Sequence, residues 1–354
     1  MRRHITIKDI AKVAGVSHTT VYRALNDKPR ISQSTKEQII SIAQEFNYQP
    51  NVLAQSLVSG RTKTLGLVIT TIVNPFYPEL ARGIEDTARS LGYSIILCCT
   101  NFDISLEKQY TDMLRSRGVD GIIFTSAHIR DPNITGLVED NFPLILVNRK
   151  ISGDPGIEDV DYVVVDNVMG GYLAVEHLIK MGHHRIGVIS GSSDSSVAAD
   201  RLVGVRKAFT EYGLNPTELL VLEGDFLKPS GYEVARKFLS LSNPPSAIFG
   251  GNDYMAMGAL EAILDSGLRV PEDIALMGFN DIEFSSLRTI ELSTIGQKKY
   301  EMGSIAVHAL IERIEGGDWD KVTQITLEPD LIIRRSCGYH LRGYSVPDRR
   351  DAQI

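Results

Sequence analysis

The sequence predicts a small all-α head, a short conditional helix, and an α/β core of two lobes. Three observations carry this reading. Apolar residues in the first 49 positions recur at helical spacing; residues 51–60 are apolar but too few for a stable lone helix; and from Leu65 onward, short apolar strands alternate with amphipathic helices in two successive runs. At 354 residues, with 43% hydrophobic and 23% charged content, the chain has the size and balance of a soluble protein of two or three domains.

The head begins with TIKDIAKVAGVSHTTVYRALN, residues 6–26. Thr6 offers an N-cap oxygen and Asp9 stands three residues on, a capping-box-like start. Ile7, Ile10, Ala11 and Ala14 mark one buried helix face, and Gly15 ends that helix because it accepts positive φ without a Cβ clash. Val16 plugs the corner, Ser17 caps the next helix, and Val21 and Leu25 turn its inward side to the first. His18, Thr19, Tyr22 and Arg23 then point outward. Helix, tight turn with Gly, and polar-faced helix is the arrangement of a helix-turn-helix that reads major-groove base edges. An ordinary helical hairpin with a solvated second helix fits the same stretch, so the motif alone leaves both readings open.

Ser32 or Ser34 can cap a third helix, whose stripe Ile39, Ile42, Ala43 and Phe46 closes a three-helix core, and Pro50 ends it. Residues 1–49 are therefore the expected head, and 50–61 a hinge in which Asn51 caps a short helix and Gly60 ends it. A plain linker fits too, but linkers are usually polar or Gly/Ser-rich. An apolar helix that forms only against a partner fits better, and paired copies can wedge Leu57 into a minor-groove base step.

The core is expected over residues 62–340, with lobe 1 at about 62–161 plus part of 292–325, and lobe 2 at about 162–291 plus the C-terminal part. The strands are LGLVITT, SIILCC, GIIFTS and PLILVNR, then YVVVD, RIGVISG, LLVLEGD, AIFGG and IALMGFND. The helices are expected near 76–91, over LEKQYTDMLRSR, weakly before Pro143, then near 168–181, 197–212 and 229–240, over MAMGALEAILDSG, and at 300–315. Such alternation builds parallel sheets covered on both faces. Ligands of open α/β sheets bind at the carboxyl ends of the strands. Polar and aromatic residues collect there: Asn74, Phe76 and Tyr77; Asn148 and Arg149; Asp166 and Asn167; Arg201 in the 190–201 stretch; Asp225 and Phe226; Asn252 and Asp253; Asn280 and Asp281; and Gln297 on a crossover. Two such rims make a cleft able to close on a small polar ligand. For any one of these residues a cap or turn role competes with ligand contact. Asp166, Asn167, Asp253 and Asp281 precede helix-like runs and lean toward capping.

The net charge of −7 is unevenly spread. Residues 1–64 hold ten Lys/Arg and four Asp/Glu, a balance of +6, so the remainder carries −13. A basic head on an acidic body localises phosphate binding and keeps polyanions off the body. No run of about 18 apolar residues predicts a membrane span. The start MRRHITIKDI lacks an apolar segment, so no secretory signal is expected and a cytoplasmic location is. Cys98, Cys99 and Cys337 show neither disulfide nor zinc spacing.

The head string and IISIAQEFNYQPNVLAQSL, together with DGIIF, VVVDN…GGYLAVEHLIKMGHHRIGVISG, GNDYMAMGAL, GLRVPEDIALMGFND and LSTIGQ, resemble the lac repressor/galactose repressor (LacI/GalR) family of bacterial transcription regulators, more its purine- and ribose-repressor branch than the lac repressor. The similarity spans roughly residues 5–336. It implies a homodimer that binds a near-palindromic operator, represses transcription, and answers to a small-molecule effector (a sugar, sugar derivative or nucleobase-like compound) in a core resembling periplasmic sugar-binding proteins. His18, Thr19 and Arg23 match base-contacting positions, Ser17 and Asn26 lie near phosphates, and Leu57 matches the intercalating hinge leucine with Ala54 beside it. Thr6, Tyr22 and Asn51 complete the expected DNA-facing set. Phe76, Tyr77, Arg201, Phe226, Asn252, Asn280 and Gln297 fall at effector-touching positions, and Asn74 and Arg149 complete that set. Three departures matter. Tyr22 replaces a common Ser, Asn280 replaces an Asp found in several sugar and purine binders, and the tail at 341–354 has no leucine heptad for a tetramer.

Two rival classes remain to be weighed. An enzyme is disfavoured because no G-x-G-x-x-G after a strand, no phosphate-binding P-loop and no G-x-S-x-G elbow occurs. No cofactor or metal is expected; the adjacent His183 and His184 read as a structural lead into RIGVIS. A transport or chemosensory binding protein would suit the body alone, but not the basic head.

Overall fold

The computed structural model describes residues 5–25, 27–48, 60–152, 160–317 and 321–342, and the chain divides into two units, Met1–Thr62 and Lys63–Ile354. In the first unit α1 (Ile7–Ala14) starts from a complete capping box: Thr6 Oγ1 accepts from Asp9 N–H, and Asp9 accepts from Thr6 N–H at 2.9 Å. Gly15 ends it at φ 68°, the left-handed cap that glycine adopts without steric cost. Ser17 Oγ caps α2 (His18–Leu25) by accepting from Thr20 N–H at 3.1 Å, and Ser32 caps α3 (Gln33–Glu45). Ile10, Ala11, Val21, Ala24, Ile39 and Ala43 form the core, with Leu25, Ile42 and Phe46 at its margin. Leu25, expected inward with Val21, packs against this core half-buried, and Ala24 beside it is fully buried. The hinge, including Asn51, Ala54 and Leu57, lies outside the described residues, as do Asn26 and most of the tail.

The second unit carries two six-stranded sheets. Lobe 1 is built from β1 (Thr64–Ile69), α4 (Phe76–Ser90), β2 (Ser94–Cys99), α5 (Ile104–Ser116), β3 (Gly121–Phe124), α6 (Pro132–Glu139), β4 (Leu144–Val147) and β5 (Tyr162–Val165). Lobe 2 takes α7 (Asn167–Lys180), β6 (Ile186–Ser190), α8 (Ser196–Glu211), β7 (Leu219–Glu223), α9 (Lys228–Leu239), β8 (Ala247–Gly250), α10 (Asp253–Asp265), β9 (Ala275–Asn280) and β10 (Ser293–Gly296). The chain then returns to lobe 1 with α11 (Lys299–Ile314) and β11 (Gln324–Leu327), and ends in lobe 2 with β12 (Asp330–Ile332). Strand order is β11-β5-β4-β3-β1-β2 in lobe 1 and β12-β10-β9-β8-β6-β7 in lobe 2. All pairings in the first are parallel; in the second only β10–β12 is antiparallel.

One expected boundary moves. YVVVD, read as the opening strand of lobe 2, pairs with β4 and β11 and belongs to lobe 1. A strand buried on both faces looks the same in either sheet, so local pattern cannot say which one it joins. The chain therefore crosses between lobes after β5, after β10 and after β11.

Helix pairs meet through reciprocal glycines. In α7/α8 a Cβ at Gly171 would fall 2.1 Å from the Arg201 carbonyl oxygen, and one at Gly204 would fall 1.9 Å from that of Val168. Gly204→Ala should therefore force the helices apart and destabilise the core by about 1–3 kcal/mol, read as a lower midpoint in denaturant.

Lobe 1 also buries a carboxyl. Glu107 accepts hydrogen bonds from Ser126 Oγ and from Asn133 Nδ2, and Asp131 sits beside it as the cap of α6. Burial first, then the neighbouring Asp131 charge, pushes Glu107 up to about 7 from an ordinary 4.5. A carboxyl raised on folding favours the native state only while protonated. Its effect is fully present below pH about 4.5 and is lost as pH rises through about 7. Glu107→Gln should remove this slope and leave the variant more stable than the parent by on the order of 1–3 kcal/mol at pH 8, measured by urea unfolding across pH 4–8.

Candidate functional site: an interlobe cleft and an exposed recognition helix

In the head, His18, Thr19 and Arg23 are exposed on one side of α2, opposite the buried Val21 and Ala24. Ser17 and Thr6 are exposed at the starts of α2 and α1, while Tyr22 is half-buried rather than turned fully outward. Helix α2 thus presents imidazole, hydroxyl and guanidinium groups from a rigid three-helix frame.

In the core, loops at the carboxyl ends of the strands converge on a cleft between the lobes, with about 310 Å³ of space open to solvent. Its lining is Asn74, Phe76, Tyr77, Asn148 and Arg149 from lobe 1, and Val197, Arg201, Phe226, Asn252 and Asn280 from lobe 2. Phe76 and Tyr77 pack edge to face, with ring centroids 5.2 Å apart. Three of these ten, Asn148, Phe226 and Asn280, hold positive φ of 69°, 67° and 123°. Strained backbone gathered at one site marks a place where the surrounding fold holds side chains for a purpose other than packing.

Arg201 is anchored from three sides. Its Nε donates to Asn167 Oδ1 at 2.9 Å, Nη1 donates to the Gly251 carbonyl, and its guanidinium lies 3.4 Å from the Phe279 ring centroid. Burial pulls it down to about 9, which leaves it charged at neutral pH. Arg149 Nη1 donates to the carbonyls of Ser126 and Ala127, both at 3.3 Å, and its guanidinium faces Phe226. Asn252 caps α10 through Met255 N–H and donates to the Phe226 carbonyl at 3.0 Å; Asn74 donates to the same carbonyl from the other lobe at 3.4 Å. Asn280 Oδ1 accepts from Gln297 Nε2 at 2.7 Å, and Lys299 Nζ fixes the carbonyls of Asn280 and Asp281.

Eight of the nine sequence-derived candidates thus line one cleft. Gln297 is the exception: it lies behind Asn280 and holds it. Val197, one apolar residue in a helix, gives no sequence signal of its own; Asn148 stands on the expected rim, and an αL-tolerant Asn beside Arg149 is the signal that adds it to the site. Among the four residues expected to cap, only Asp166 does so, accepting from Met169 N–H at 2.8 Å. Asn167 holds Arg201, Asp281 pairs with Arg334, and Asp253 turns inward to Ile282 N–H, Ser285 and Thr294. The cap position before α10 belongs to Asn252, one residue earlier than expected.

Two family models match the chain: "Bacterial regulatory proteins, lacI family" over residues 6–51, and "Periplasmic binding proteins and sugar binding domain of LacI family" over residues 62–335. The chain belongs to the LacI family. Members are DNA-binding transcriptional regulators with an effector-binding core, and so is this chain. It is 36% identical over 334 residues to the HTH-type transcriptional regulator DegA of Bacillus subtilis (strain 168), covering 94% of this chain and 97% of that one. Identity is also 36% to the HTH-type transcriptional repressor PurR of Haemophilus influenzae (strain PittEE), covering 94% and 98%. Among solved structures, the lac repressor dimer bound to operator and the anti-inducer ONPF superposes with a TM-score of 0.83 at 28% identity, covering 95% and 99%. No helix among the described residues is long and apolar enough to cross a membrane.

The cleft of this LacI-family regulator also depends on Gly191, where a Cβ would fall 1.9 Å from the Phe226 ring. Gly191→Ala should displace that ring from the cleft wall and lower core stability by about 1–3 kcal/mol, checked by thermal unfolding together with near-ultraviolet circular dichroism.

Proposed function

We propose that two copies of the chain repress transcription by binding a near-palindromic operator, with a small-molecule effector in the interlobe cleft controlling operator affinity. The observation that carries this is the pairing, in one chain, of an exposed polar recognition helix with a cleft whose hydrogen-bonding groups converge from two lobes. His18, Thr19 and Arg23 read base edges, and Ser17 with Thr6 and Asn26 sits at the phosphates. Asn51, Ala54 and Leu57 are assigned to the minor groove from sequence alone. The lac repressor relative was solved as a dimer on its operator, which supports the same arrangement here. Leu97 on edge strand β2 and Leu222 on edge strand β7 are exposed and offer apolar surface for a second copy to cover.

Effector control follows from differential affinity: a ligand shifts operator binding only as far as it prefers one lobe geometry. Asn74, Phe76, Tyr77, Arg149, Arg201, Phe226, Asn252 and Asn280 are the assigned contacts, with Gln297 positioning Asn280. Selection of bound sequences from a random DNA library, using the full chain, tests the reading; a dyad-symmetric site is expected, and the absence of any enriched sequence sinks it. On the selected site, Arg23→Ala should cost about 1–3 kcal/mol per half-site and relax preference at one base position, as for a bidentate guanine contact. Equal weakening on all sequences would instead make Arg23 a phosphate contact.

A further inference from the structure

We propose that the effector is a small hydroxylated compound carrying one anionic group, a carboxylate or a phosphate, seated between Arg149 and Arg201. The proposal rests on the effector-cleft reading above and specifies the ligand's charge. The two guanidiniums come from opposite lobes and are only 5% and 4% exposed. Both line the same cleft, and Arg149 disfavours the charge of Arg201. Neither has an ion-pair partner among the described residues, and no described carboxylate lines the cleft.

Carboxylates offset part of this charge at a distance, Asp253 on Arg201 and Asp194 on Arg149, but among the described residues none makes an ion pair with either guanidinium. Asp194 accepts from Ser192 Oγ and pairs with His128; Asp200 pairs with Lys150 at 3.2 Å; Asp253 accepts from Thr294, Ser285 and Ile282 N–H. Buried guanidiniums without a directly bonded carboxylate are costly, and a ligand anion between them supplies that bond.

The unused hydrogen-bonding groups match the same ligand. Arg149 Nε is buried with no acceptor, and Arg201 Nη2 has no protein acceptor among the described residues. Because Gln297 occupies Asn280 Oδ1, Asn280 offers the cleft its Nδ2 donor. Arg149, Arg201 and Asn280 thus each bring donors to the cleft lining, as an anion with several lone pairs requires. Asn148 Oδ1 is a buried acceptor without a donor, suited to a ligand hydroxyl. Asn280 is an amide and not a carboxylate, so it does not repel an anion. Sugar acids and sugar phosphates satisfy every one of these conditions, whereas a neutral sugar leaves both charges unpaired.

The test uses the full chain at fixed ionic strength, with thermal shift and calorimetry over matched probes. D-glucuronate and D-gluconate form one arm, glucose 6-phosphate with inorganic phosphate a second, and glucose with neutral nucleobases a third. A concentration-dependent rise in transition temperature is expected for one anionic arm, which also tells carboxylate from phosphate. The neutral arm should bind at least about tenfold more weakly, and Arg149→Gln should weaken the anionic probe roughly 10- to 100-fold. Arg149→Lys should restore part of that loss, which separates lost charge from misfolding. Neutral probes binding as tightly as anionic ones, or Arg149→Gln binding the anion unchanged, would overturn the charge assignment and leave the effector cleft standing. No stabilisation by any arm would remove both.

Discussion

The lobes are tied by three crossings of a single chain, and two of those crossings hold the cleft's own side chains. At the first, between β5 and α7, Asn167 accepts from Arg201 Nε. At the second, between β10 and α11, Gln297 donates to Asn280, and Lys299 reaches back to the Asn280 and Asp281 carbonyls. Any ligand that pulls on Arg201 or Asn280 therefore acts on the segments about which the lobes turn. Interlobe bonds at the rim add to this: Ile129 N–H donates to the Asp194 carbonyl at 2.8 Å, and Lys150 N–H to Ser196 Oγ at 2.9 Å. The cleft and the interlobe crossings are one unit, which is why a ligand contact here is also a conformational contact.

Much of this was readable in the chain because the determinants are local. Helix starts at 76, 167, 196, 228 and 299 fall within one residue of expectation, since caps and apolar periodicity act over a few residues. What escaped the sequence was decided by distant partners. β5 reads as an apolar strand in either lobe, and only its pairing with β4 and β11 assigns it. Asp253 sits where a cap is expected, but three donors from residues 282–294 draw its carboxylate inward and burial holds its pKa above the usual range. Gln297 was placed in the cleft by resemblance, and the structure keeps it one layer back. The cleft rim itself was legible as a set, because residues at the carboxyl ends of parallel strands face one cleft even where a single Asn also serves as a cap or turn.

The uneven charge of the chain gives its two units separate electrostatic roles. The balance of +6 over residues 1–64 favours a polyanion at the head, and −13 over the rest repels one from the body. Against that acidic body, a cleft lined by two guanidiniums and no described carboxylate is a local reversal of sign. Long-range attraction and short-range selection are thereby assigned to different places. DNA is drawn to the head, while the cleft attracts small anions that can enter a space closed to nucleic acid.

The position of the two arginines also bears on how a ligand is coupled to lobe geometry. Arg149 follows β4 in lobe 1, and Arg201 belongs to α8 in lobe 2. Across the cleft Arg149 disfavours the charge of Arg201, while the rim bonds of Asp194 and Ser196 hold the lobes together. An anion between them turns a repulsion across the cleft into two attractions to a common centre, so its binding energy depends steeply on lobe separation. That dependence is the differential affinity that a switch requires, because a ligand bound equally in both states shifts neither. A ligand held by one lobe alone would lack it. Placing one guanidinium on each side of the cleft makes the charge of the ligand, rather than its shape alone, the quantity that sets the lobe equilibrium.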